Sequence, residues 1–270
     1  MLSVIVGYND IVDTYDLTAM DQNQMVLVRV EGLNPPPMTR NTSASGNIDG
    51  TFFNSARAEQ RNIVLTILPR GRNIEANRQL LYQIFPLRRE IVLRFKNKNR
   101  DVTITGYVES IEGSLFDNPQ TFTVSIICPQ PYFKSFLPIT QNIYPVATDA
   151  FNAGGFETGM EIDIDIDETM TGIAVQGLTI RNRSLNTFIG FTAGFTRGNH
   201  IHISTIRGNL SANVLRSVAP YDMNLLRYLA DDSSWIKLRT GQNSLSFETS
   251  NNTNNYVTAT VKWYDLYAGV

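Results

Sequence analysis

Apolar and polar residues alternate with a period of two along most of this chain. The run Met25-Val26-Leu27-Val28-Arg29-Val30 is a strand candidate. Residues 62–68 form another, with Ile63, Leu65 and Ile67 on one face, because successive strand side chains point to opposite sides. Residues 90–95, 102–112 and 121–128 continue the pattern, separated by the polar turns at 96–100 and 117–119. Short alternating runs punctuated by Asn, Asp, Gly and Pro predict an antiparallel meander. One helix interrupts it. Asn73 is placed to cap it, Glu75 lies in its first turn and Pro86 stops it, with Leu80, Leu81 and Ile84 as its apolar stripe.

The segment Cys128-Pro129-Gln130-Pro131-Tyr132-Phe133 breaks the pattern. Two prolines do not suit a central strand, so the chain is expected to leave one domain here. This divides it into residues 1–133 and 134–270. Alternation restarts at Met160-Glu161-Ile162-Asp163-Ile164-Asp165-Ile166-Asp167. Further strands are expected over 172–182, 188–195, 200–206, 234–238, 244–249 and 257–267, with a short helix over 222–230 capped by Asp222. Such spacing with Gly/Asn turns suggests a β-sandwich of jelly-roll type. Residues 32–46, which contain Pro35-Pro36-Pro37, read as a long loop. Loops of that length in a compact domain usually have a task.

Composition narrows the function. The 270 residues are 42% hydrophobic and 18% charged, with a formal net charge of −2. Nucleic-acid binding driven by counterion release needs a basic surface, and this balance speaks against one. Modest charge suits protein partners, since interface centres are poor in charge. The one cysteine, Cys128, precludes an internal disulfide and reads as core. Residues 1–13 lack the basic start and long apolar block of an export signal. No stretch approaches the roughly 20 apolar residues of a membrane-spanning helix.

The search for chemistry yields no catalytic, cofactor or metal residues. Asp163, Asp165 and Asp167 begin like a calcium loop. Such a loop needs Gly at its sixth position and Glu at its twelfth, and here Glu168 and Ala174 stand there. The alternating Ile162, Ile164 and Ile166 predict instead a strand with a solvated acidic face. His200 and His202 project from one strand face, but two ligands make a weak metal site. No nucleophile elbow or phosphate-binding glycine loop is present. Trp235 and Trp263 are read as sandwich core and not as sugar-stacking platforms.

The chain resembles the distal tail protein (Dit) family of long-tailed phages. The resemblance starts at Asn47-Ile48-Asp49-Gly50-Thr51-Phe52-Phe53, followed by Arg57-Ala58-Glu59-Gln60-Arg61-Asn62-Ile63-Val64-Leu65. It continues through Arg89-Glu90-Ile91-Val92-Leu93-Arg94-Phe95, Gly106-Tyr107-Val108-Glu109 and the 128–133 motif. In the second half Ile201-His202-Ile203-Ser204-Thr205, Trp235-Ile236-Lys237-Leu238, Gly241-Gln242-Asn243-Ser244-Leu245 and Trp263-Tyr264 follow in order.

The resemblance implies a mainly β protein. Residues 1–133 would be a tail-tube-like β-barrel or sandwich with one helix, and residues 134–270 a galectin-like β-sandwich. It also implies a non-enzymatic virion component, made in the host cytoplasm. Its partners would be five further copies in a six-fold ring, the tail-tube protein, and tail-tip, lysin or receptor-binding proteins. It gives no nucleic-acid sequence recognition and no membrane insertion. A carbohydrate-binding adhesin of a tail or phage-like particle is the alternative. The 32–51 segment, stiffened by its prolines, is the expected reach to a neighbouring subunit, and Arg57 and Arg61 just after it either pair with carboxylates across that contact or are ordinary surface residues.

Overall fold

The computed structural model describes residues 2–8, 14–19, 24–47, 49–114, 116–170, 174–215 and 222–270. Parts of three sequence expectations lie outside these residues: Ile48 of the resemblance, Met1 and residues 9–13 of the first segment, and Gly172 and Ile173 of the strand expected from 172. The chain divides into two compact units. One comprises Met1–Phe136 with Tyr267–Val270, the other Leu137–Leu266. Residues 267–270, assigned by the sequence reading to the second half, therefore cluster with the first.

The first unit contains β1 (Ser3–Gly7), β2 (Thr14–Asp16), β3 (Met25–Glu31), β4 (Met38–Ser43), β5 (Phe52–Ala58), β6 (Arg61–Pro69), α1 (Ile74–Ile84), β7 (Glu90–Lys96), β8 (Asp101–Gly113), β9 (Phe122–Cys128) and β10 (Phe133–Ser135). The main sheet runs β2-β1-β7-β8-β9-β6-β3 with antiparallel neighbours. Only β7-β8-β9 is the expected meander; β6 pairs across to β9 and β3. The inward side chains of β1, β6, β7, β8 and β9 share one core with Leu81, Ile84 and Phe85 of the helix region. The helix starts where its cap predicts: the Asn73 side chain accepts from the Ala76 N–H, 3.1 Å away.

The sheet is not a closed barrel. Its end strands β2 and β3 are not paired with each other among the described residues, which corrects the barrel expectation for this half. Two short additions complete the unit: β10 pairs with β8, and β21 (Leu266–Tyr267) pairs with β10.

The second unit holds β11 (Ile139–Ile143), β12 (Thr148–Asn152), β13 (Met160–Ile166), β14 (Val175–Asn182), β15 (Thr187–Phe195), β16 (His200–Ser204), β17 (Ser211–Leu215), β18 (Asp222–Asn224), β19 (Gly241–Thr249) and β20 (Val257–Trp263). One sheet runs β11-β20-β13-β16-β17-β18 and the other β12-β19-β14-β15. Their inward residues form a single core that includes Ile162, Ile164, Ile180, Phe195, Phe247 and Trp263. That makes a β-sandwich, as the strand spacing predicts.

Two local expectations fail. The helix over 222–230 is a short strand followed by one 3₁₀ turn, Leu226–Tyr228. Of its three leucines only Leu225 is fully buried, and Leu226 is 40% exposed, so there is no apolar stripe to hold a helix on the sandwich. The strand over 234–238 is extended, but its ladder is a single bridge, Thr158 to Leu238.

Cys128 is fully buried, and burial pushes its thiol up to about 12, against the opposing pull of Arg61. The thiolate is the reactive form, so the native thiol is expected to resist alkylation at pH 8. Labelling should proceed at the rate of unfolding. Immediate stoichiometric labelling of the native chain would contradict this burial.

Candidate assembly surface

Four groups of residues bear on function: the hairpin of β4 and β5, the surroundings of Arg61, the histidine-acid face, and residues 267–270.

The stretch read as a loop is in fact a two-stranded sheet of its own. β4 and β5 pair antiparallel from Met38–Ala58 to Ser43–Phe52, with a bulge at Asn41/Thr42. Nearly every residue of both strands is exposed. Met38, Phe52 and Phe53 are 48%, 53% and 65% exposed. An isolated hairpin is at best marginally stable in water, and by register Met38 and Phe53 share one face of this one while Phe52 lies on the other. Among the described residues, Arg40 and Arg57 have no carboxylate partner on this arm. Arg57 lies exposed on β5.

Arg61 does not. It is 2% exposed, and its guanidinium is used up inside the chain. Nε donates to the Pro131 carbonyl at 2.8 Å, Nη1 to the carbonyls of Gly32 and Asn34, and Nη2 to that of Ala268. The group also lies 4.4 Å from the centre of the Phe133 ring. This replaces the expectation of a cross-subunit ion pair. Its acceptors are backbone carbonyls from three distant segments, a fit suited to the planar five-donor fork of arginine. Gly32 makes the geometry possible. It turns with φ +84°, and a Cβ there would collide with the Asn62 carbonyl.

Residues 267–270 close the same region. Arg100 donates to the Gly269 carbonyl at 2.6 Å and stacks over Tyr267, and the Val270 N–H reaches the Leu33 carbonyl.

In the second unit, the register places Asp163 beside His202 and Asp165 beside His200 on adjacent strands. His202 Nδ1 lies 2.7 Å from Asp163 Oδ1, and His200 Nδ1 2.6 Å from Asp165 Oδ1. Ile162, Ile164 and Ile166 face the core as expected. The sequence reading put the histidines on one face and the acids on another strand's face; that the two strands are neighbours was not visible. Among the described residues no cluster of His, Cys, Asp and Glu is arranged to hold a metal ion. Trp263 is core, and Trp235 packs against it partly buried.

This fold is shared with solved phage proteins. No family model matches the sequence, and no curated protein matches it either. The solved protein SPP1 Dit, presented as a paradigm of the hub adsorption apparatus in phages infecting Gram-positive hosts, matches with a TM-score of 0.72 at 15% identity. The match covers 98% of this chain and 99% of that one. Chains of the phage P2 baseplate, in its activated conformation with calcium or with strontium, match with a TM-score of 0.52 at 12% identity. They cover 97% of this chain and 98% of theirs.

Proposed function

We propose that this chain is a structural subunit of a phage tail, whose copies close into a six-fold ring joining the tail tube to the tip. The observation that carries the reading is the fold match with SPP1 Dit, which covers 98% of this chain and 99% of that one. The first unit forms the ring. Its exposed hairpin, with Met38, Phe52 and Phe53 uncovered, reaches the next copy. The second unit is a sandwich that presents its surface to tip, lysin or receptor-binding proteins. The role is one of assembly and not of catalysis.

Light scattering on the purified chain tests the ring. A particle of six times the 30.3 kDa chain mass is expected. Removing residues 38–58 in favour of a short Gly/Ser linker should leave a folded monomer. A full chain that stays monomeric at high concentration and retains wall polysaccharide in a pull-down would replace the ring with an adhesin.

A further inference from the structure

The β4–β5 arm stands on two legs, residues 32–37 and 59–61, and both are rooted in the first unit. Arg61 belongs to the second leg, and its Nη1 donates to the Gly32 and Asn34 carbonyls of the first. One guanidinium thus clasps the two legs together. Its other donors fasten the clasp to the body of the unit, Nε to the Pro131 carbonyl and Nη2 to that of Ala268. Nearer the arm, the Glu59 N–H donates to the Pro37 carbonyl at 3.0 Å and ties the legs a second time. Between these ties run Pro35, Pro36 and Pro37, with Pro36 buried. A proline run is a stiff, extended spacer, so a direction set at Asn34 is carried through to Met38.

The segment that returns from the second unit packs against this root. Gly269 lies so close to the first leg that a Cβ on it would stand 2.8 Å from the Leu33 carbonyl oxygen and 3.7 Å from the Pro35 ring. Having no Cβ is what lets the two backbones approach. The Val270 N–H donates to the same Leu33 carbonyl at 3.3 Å. Arg100 holds the segment as well, through the Gly269 carbonyl and the Tyr267 ring. Leu33, Tyr267 and Val270 each pack against the first unit's core. The root of the arm is therefore built in part from residues that follow the whole second unit along the chain.

We infer that residues 267–270 are a latch on the root of the β4–β5 arm. Seated, they hold Arg61 and Leu33 in place, and the proline run aims the arm in one direction. Drawn out, they remove the Ala268 acceptor of Arg61 and the Val270 donor to Leu33. The root then loosens and the arm takes a range of directions. The latch is covalently continuous with the second unit at Leu266, so a pull on that unit is felt at the arm. This setting of the arm lies within one chain and holds whatever surface the arm meets, so it goes beyond the ring reading and does not depend on it.

Distances between paired spin labels in the full chain test it, because buried Cys128 leaves the background clear. One label goes on the arm at Ser55→Cys and the other at Arg72→Cys in the loop before α1, both exposed positions outside the latch. Labelled chains are diluted into an excess of unlabelled ones, so that each distance lies within one chain. The latched chain should give one narrow distance. Adding Gly269→Ala, which drives a methyl group against the Leu33 carbonyl, should replace it with a broad spread. Arg61→Lys, whose ammonium cannot span both legs and the latch, should do the same, and it serves alone if the glycine variant does not fold. Asn73→Ala removes the helix cap and weakens the same unit away from the latch, and it should leave the narrow distance intact. A broad spread before any latch substitution, an unchanged distance in the latch variants, or an equal spread in Asn73→Ala overturns the latch. Light scattering on the unlabelled chain reads the ring separately. A monomer whose narrow distance is lost in Gly269→Ala would remove the ring and leave the latch standing.

Discussion

Replacing Arg61 by alanine is expected to destabilise the first unit by on the order of 4 kcal/mol. The side chain is buried and donates to four carbonyls, those of Gly32, Asn34, Pro131 and Ala268. Each buried acceptor left without a donor costs about 1–3 kcal/mol. Water entering the vacated space would satisfy some of them, which holds the total below a simple sum. A loss of this size is a large share of the roughly 5–15 kcal/mol that stabilises a typical domain. Arg61→Lys should fall between the two, since an ammonium offers its donors from one point and cannot span four acceptors. Denaturant unfolding followed by a probe in each unit would show the first transition moving and the second holding. A shift under about 1 kcal/mol for the alanine variant would mean that the carbonyls find other donors.

The second large effect concerns residues 267–270. A fragment ending at Phe133 or Phe136 loses the β21 partner of β10, the Ala268 carbonyl bound by Arg61, the Gly269 carbonyl bound by Arg100 and the Val270 N–H bound to Leu33. Hydrogen bonds to charged groups contribute about 1.5–3 kcal/mol each. Residues 1–136 alone should therefore unfold several kcal/mol more easily than the same residues joined to 267–270 by a flexible Gly/Ser linker. Equal midpoints for the two fragments would show that the first unit does not need its returning segment. Ring assembly by the first unit is thus best tested with the joined form.

Much of this architecture was legible in the sequence, and the failures have physical causes. Strands such as β6, β9 and β13 bury one face and expose the other, so their alternation between core and solvent shows in the residues themselves. The helix announced itself through Asn73 and Pro86, local signals that need no tertiary context. The hairpin was missed because both of its faces are exposed within the chain. Without a buried face, Met38-Thr39-Arg40-Asn41-Thr42-Ser43 has no period to read, and the prolines before it suggested a loop. Residues 222–230 misled in the opposite way: three leucines at helical spacing are buried or exposed one at a time by an extended path.

The role of Arg61 could not have been found from its neighbours in sequence. Its partners lie 27, 29, 70 and 207 positions away and are backbone atoms, which carry no residue-type signal. The pairing of Asp163 and Asp165 with the histidines likewise depends on which strands lie side by side. Hydrophobic patterning selects the buried face of a strand but leaves strand order open.

Because the chain leaves the first unit after Phe136 and re-enters it at Tyr267, the second unit is held by two covalent tethers. A pull on the second unit is shared between two backbone connections. The tethers enter at β10 and β21, which are paired to each other. Tension therefore arrives at a hydrogen-bonded pair of strands and not at a single frayed end. On the incoming side the load passes from β10 to β8 in the main sheet, and on the outgoing side to the carbonyls gripped by Arg61 and Arg100. The inserted unit is thus joined through two backbone connections, so either one must carry only part of the strain.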